Sequence, residues 1–235
     1  MAEARRQASA GRRRRRTQAG EILSRDVYVD AAVNLIEQRG AGVLSARTLG
    51  RAVGADPTAL YRYFDGVDDV LRAVADRMIG IALDRWTPEV DWLSSLATLA
   101  RALYAVYVHE FPQTGHAVAS RTTGLENETR AVELTLGLLR DGGFDDESAA
   151  VWFRSLSDFL LGQAMLESAY GTLPSEVMAT DSTRWREFPS RRQHDDAPAA
   201  PPHLLSLMLE SSFEASMELI LRGLAASPRT RAEDS

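Results

Sequence analysis

The chain has 235 residues, enough to bury a core without covalent staples, and its formal charge is −6. It has no cysteine, which excludes structural disulfides, thiolate zinc sites and cysteine nucleophiles. All 27 basic residues are arginine, and they are unevenly spread: residues 1–65 carry 12 Arg against 7 acids, the remainder 15 against 26. A basic N-terminal third on an acidic body suggests that the first part meets a polyanion. No secretory h-region and no run long enough to span a bilayer is read, so a soluble, cytoplasmic protein is expected.

Residues 1–20, which include the Arg12 to Arg16 run, have no apolar periodicity and are expected to form a disordered arm. Val29, Ala32, Val33 and Ile36 then share one helical face, and Gly40 is the expected stop. Ser45 is an N-cap candidate for a second, short helix ending at Gly54. Asp56 and Pro57 mark a third start, because Asp caps free N–H groups and Pro at the first position loses no needed donor. A fourth helix is predicted from about Asp68 to Arg85, with Val67, Leu71, Val74, Met78 and Ile81 as its core stripe.

After Thr87 and Pro88 the pattern stays helical. Helices are predicted over 92–109, 112–120, 125–141 and 147–170, then a flexible connection over 172–202 and a last helix over 203–224. The fold class is therefore all-α. The domain reading is an arm (1–20), a helix-turn-helix domain (21–67), a larger helical domain for effector binding and dimerisation (68–226) and a tail (227–235).

Residues 45–64, SARTLGRAVGADPTALYRYF, have the spacing of two short helices joined by a tight turn. At 100° per residue, Leu60 and Phe64 point inward while Thr58, Ala59, Tyr61 and Arg62 form an outer face. Hydroxyl, methyl, phenol and guanidinium groups suit base edges and phosphates in a major groove. On the second helix Leu49 and Val53 turn inward, Arg47 and Arg51 outward, and Ser45 sits at an N-terminus suited to phosphate.

From Ser24 to Ile81 the sequence resembles the DNA-binding region of the TetR/AcrR regulators, most specifically at Leu49, Val53, Gly54, Ala59, Leu60, Tyr61, Tyr63 and Phe64. The resemblance implies that Arg47 approaches a base and that Thr48 meets backbone or base. It also implies that Thr58, Ala59 and Arg62 face the groove while Tyr61 and Tyr63 hold phosphates. It departs at Val67, where the family often has a phosphate-clamping Lys; Asp68 and Asp69 follow, suiting the helix dipole but opposing DNA.

Beyond Trp86 the resemblance is to the C-terminal domains closest to the tetracycline repressor, implying a pocket for a small-molecule effector and a homodimer on a palindromic operator. The helix after Glu147 is apolar nearly all round, and the last helix adds Leu209, Phe213, Met217, Ile220 and Leu224. Together they suit a four-helix contact across a twofold axis, with half-sites about 34 Å apart. Tyr104, His109, His116, Phe159 and Gln163 are the candidate effector contacts. His109, Glu110 and His116 lack a one-face metal spacing, and no phosphate loop or nucleophile elbow is present. No metal, cofactor or catalysis is expected. The expectation is a ligand-released repressor; the alternatives are an activating or architectural DNA binder, or a helical interaction module without DNA binding.

Overall fold

A computed structural model describes residues 22–171, 173–187 and 211–227. Among these every helix, strand-free in its surroundings, belongs to an all-α fold. The chain divides into two compact units, Met1–Val74 and Ala75–Ser235. The boundary falls inside the fourth predicted helix, beyond the 67/68 division read from sequence. Val70 and Val74, both fully buried, lie on the N-terminal side of that boundary.

In the N-terminal unit, α1 (Arg25–Arg39) starts where the Ser24 hydroxyl accepts the Val27 N–H and stops at Gly40. Gly40 has φ +76°, a backbone region that side chains bearing a Cβ resist, and its N–H donates to Ile36 O at 2.7 Å. Helix α2 (Ala46–Ala52) opens with a reciprocal cap: Ser45 Oγ accepts the Thr48 N–H at 3.1 Å, and Thr48 Oγ1 accepts the Ser45 N–H at 2.9 Å. A turn through Gly54 leads to a six-residue 3₁₀ helix, Pro57–Arg62, capped by Asp56. Gly50 permits the close crossing of these two short helices, since a Cβ there would lie 3.0 Å from Ala55 O and Pro57 Cα.

Tyr28, Ile36, Leu49, Leu60 and Phe64 form the buried side chains beneath the turn. The Tyr28 ring meets Phe64 edge-on at 6.1 Å and Tyr63 at 5.7 Å, but its hydroxyl has no hydrogen-bond partner among the described residues. Burial first, and then the neighbouring Tyr63 and Asp56, push this phenol's pKa up, so it stays neutral. An unpaired buried hydroxyl carries its desolvation cost without return. Tyr28→Phe is therefore expected to stabilise the protein by about 1 kcal/mol in urea unfolding. A loss of that size would mean the hydroxyl is bonded after all.

Helix α3 (Val67–Arg85) leads into the C-terminal unit, which contains α4 (Trp92–Tyr104), α5 (Pro112–Val118), α6 (Glu126–Asp141), α7 (Asp146–Gly171), α8 (Ser175–Glu187) and α9 (Phe213–Ala226). One apolar cluster gathers Leu83, Leu96, Leu99, Leu139, Phe144 and Leu156, with Leu224 of α9 completing it. A second gathers Tyr104, Leu160, Phe213 and Met217.

Two sequence readings are corrected here. The helix predicted over 92–109 changes after Tyr104 into a π-helical turn, Ala105–Glu110, and Pro112 then opens the next helix. The stretch read as a flexible connection over 172–202 contains α8 instead. Val177 and Met178 donate to Pro174 O at 2.9 and 3.1 Å, so the helix starts directly behind that proline. None of the residues of α8 is buried, which is why no apolar period marked it. Residues 188–210, the arm and the tail after 227 lie outside the described residues, as does the first part of the last predicted helix.

Candidate DNA interface and effector cavity

The reader helix is 3₁₀ rather than α, so successive side chains turn 120° and positions three apart eclipse. Thr58 and Tyr61 thus share one line, both exposed, with Tyr61 62% exposed. Ala59 is 3% exposed and Leu60 fully buried, giving the helix its seat. The placement of Ala59 on the outer face is corrected: its small side chain packs into the interior beside Leu60.

The remaining candidates separate by what already holds them. Arg47, Tyr61 and Arg62 are exposed and make no hydrogen bond or ion pair among the described residues. Arg51, one turn from Arg47, is in the same condition. Thr48 is half-buried, and its hydroxyl donates to Val43 O at 2.8 Å as part of the α2 cap. Tyr63 is half-buried, and its hydroxyl donates to Leu23 O at 2.9 Å. The Thr58 hydroxyl lies 2.5 Å from Asp56 Oδ1, which also accepts the Thr58 N–H at 2.8 Å. Arg25 is spent internally: it donates to Tyr63 O, lies 4.1 Å above the Phe64 ring and pairs with Asp69 at 3.8 Å. Asp69 thereby closes the reader instead of merely facing solvent.

The C-terminal unit holds a cavity of about 640 Å³ between α4, α6 and α7, with Ile79 of α3 in its wall. Leu96, Leu99, Leu103, Phe153, Leu156 and Leu160 supply an apolar lining. Thr122, Thr129, Thr135 and Ser157 supply hydroxyls, and Glu128, Glu133 and Asp158 supply carboxylates. Arg154, also in the wall, is paired with Asp158 at 2.8 Å. Tyr107 contributes a phenol whose pKa is pushed up by burial, then by Glu128 and Asp76. Apolar walls with a few polar anchors suit a drug-sized ligand.

The five effector candidates lie elsewhere. Tyr104, Phe159, Gln163 and His109 surround the start of α9. Tyr104 stacks on Phe213 at 3.7 Å and donates to Glu167 Oε2 at 2.5 Å, and burial with that contact raises its pKa. Phe159 stacks on Phe213 at 5.7 Å, Gln163 donates to Ser212 Oγ at 3.0 Å, and His109 meets Tyr104 edge-on at 5.4 Å. His116 is exposed on α5, and Glu110 pairs with Arg85. The signal that could have pointed to the cavity is the alternation of hydroxyl and apolar residues along Thr129, Val132 and Thr135 of α6.

A short capped helix backed by Leu60 and Phe64, with uncommitted arginines beside it, defines a helix-turn-helix DNA binder. Comparison with known proteins agrees. The family described as "Bacterial regulatory proteins, tetR family" matches residues 29–74, and "Tetracyclin repressor-like, C-terminal domain" matches residues 87–227. The tetracycline repressor protein class C of Escherichia coli is 26% identical over 86% of this chain and 90% of that protein. A helix-turn-helix transcriptional repressor of Mycobacterium tuberculosis is 27% identical over 92% of this chain and 84% of its own length. The crystal structure of a possible TetR family regulator from Streptomyces coelicolor A3(2) superposes with a TM-score of 0.67. It is 29% identical, covering 86% of this chain and 97% of that one. The chain belongs to the TetR family of bacterial transcriptional regulators.

Proposed function

We propose that this regulator is a homodimeric repressor, not an enzyme, that works in the cytoplasm. It occupies a palindromic operator and leaves it when an apolar, drug-sized molecule fills the cavity of the C-terminal unit. The observation that carries the DNA contact is the sorting on the reader: Arg47, Arg51, Tyr61 and Arg62 are exposed and uncommitted above a fully buried Leu60. Likeness to a protein named a tetracycline repressor supports release by a small molecule.

Pairing is supported by the apolar residues that α7 and α9 leave uncovered. Val151, Met165, Leu166 and Tyr170 of α7 are 38–61% exposed, and Leu219 of α9 is 68% exposed. Such a surface is costly in a monomer and suits a twofold contact. No described helix is long and apolar enough to cross a membrane.

The effector would act through α3, which carries Ile79 in the cavity wall and reaches back to Val67. The test uses duplexes selected by the full chain from its source genome. Binding should weaken steeply with salt, as phosphate contacts demand, and a cavity ligand should release the DNA. Ala131→Phe, which places a ring in the cavity, should cut ligand affinity at least tenfold, by calorimetry, while leaving DNA affinity within about twofold. Undiminished ligand binding by this variant would place the effector elsewhere.

A further inference from the structure

We propose that Thr58 reads thymine through its methyl group, at one position of each half-site. The inference rests on the reading of Pro57–Arg62 as the segment that meets DNA.

A threonine at a base edge can offer a hydroxyl proton, an oxygen lone pair or a methyl. Here the proton is committed. Thr58 Oγ1 lies 2.5 Å from Asp56 Oδ1, and the ionised carboxylate has no proton of its own to give, so the hydroxyl is the donor. The same oxygen accepts the Thr58 N–H at 2.8 Å, so two donors of one residue converge on one carboxylate. Charge-assisted bonds of this kind are stronger than neutral ones, so freeing the hydroxyl for a base edge would cost more than breaking an ordinary hydrogen bond.

The methyl carries no such commitment. Thr58 is exposed, and the 3₁₀ geometry puts Tyr61 directly in line with it one turn on, its ring 62% exposed. A methyl followed by an aromatic ring is an apolar ledge on an otherwise polar reader. Thymine is the base that projects a methyl into the major groove, so it is the partner this ledge selects. Ala59 and Leu60, the other methyl-bearing residues of the turn, are buried and do not compete.

The test combines changes on both sides of the contact. The full chain first selects a duplex from a random-sequence pool, and each thymine is then replaced singly by deoxyuridine, which lacks only the methyl. Wild type should lose about fourfold in affinity at one thymine per half-site, the worth of one small apolar group. Thr58→Ser keeps the bond to Asp56 and deletes only the methyl; it should bind thymine and uracil duplexes equally. Thr58→Val keeps a methyl and deletes the hydroxyl; it should retain the uracil sensitivity.

A serine variant as sensitive to uracil as wild type assigns the methyl contact to another residue and overturns the proposal. A valine variant that loses the base preference assigns reading to the hydroxyl and overturns it equally. Arg62→Ala separates the two levels. Binding that responds to Arg62→Ala but not to Thr58→Ser removes only the thymine contact; indifference to both removes the reading surface itself.

Discussion

Arg62→Ala is expected to weaken operator binding by about 1–3 kcal/mol, roughly 5- to 150-fold, and to relax preference at a single base position. The reasoning starts from what Arg62 does not do. It is exposed at the last turn of the reader helix and makes no ion pair or hydrogen bond among the described residues, so its donors are available without breaking anything. A guanidinium fork matches the O6 and N7 pair of guanine, and losing a bidentate contact penalises one base far more than the others. Arg62→Lys should fall between, because a point charge keeps the attraction to phosphate but not the fork.

Tyr61→Phe offers the contrast, since a phenol that touches phosphate weakens all sequences alike. Competition assays on a library of single-base operator variants, at fixed salt, separate the two patterns. Equal loss at every position in the Arg62→Ala protein would assign this side chain to the phosphate backbone instead.

The N-terminal unit was legible because each of its signals is local. Ser45 and Asp56 cap the helices they precede, and Gly40 and Gly54 both take the positive φ that a sharp stop requires. The error at Ala59 came from assigning faces by angle alone: in a six-residue helix what covers a small side chain is tertiary packing, and Ala59 is 3% exposed beside a fully buried Leu60. A periodicity argument has no way to register such packing over so short a run. The partner of Tyr63 was likewise out of reach, since Leu23 and Tyr63 are forty residues apart in sequence.

In the C-terminal unit the helix ends were read closely, α6 and α7 to within a residue or so, because long apolar stripes outweigh single positions. The cavity was not. Which face of α7 turns inward depends on three neighbouring helices, and Leu156, Leu160 and Ala164 won the interior over Phe159 and Gln163. The latter two instead join Tyr104 in holding the start of α9, a contact between parts of the chain about fifty residues apart. Helix α8 escaped notice for the opposite reason, having no buried residue to betray it.

The largest stability effect is expected at Asp76, an acid on α3 that is only 8% exposed. One carboxylate oxygen accepts the Glu128 N–H at 3.0 Å and the Thr123 hydroxyl at 3.3 Å; the other accepts Asn127 Nδ2 at 2.9 Å. Asp76 thus supplies, from another helix, the negative cap that the first turn of α6 needs. Glu128 in turn accepts the N–H groups of Thr123 and Gly124, so the whole corner hangs together. Asp76→Ala removes the acceptor and strands several donors where water has little access. It should cost about 3 kcal/mol or more, lowering the melting temperature by roughly 6–12 °C for a domain of this size. Asp76→Asn keeps an oxygen for the Glu128 N–H but sets an amide against Asn127, and should cost less. Hydrogen exchange gives the local readout: in the alanine protein the amides of 126–129 should lose protection first. Protection spread evenly over the unit, or an alanine variant as stable as wild type, would show that the acid is not what holds α3 and the start of α6 together.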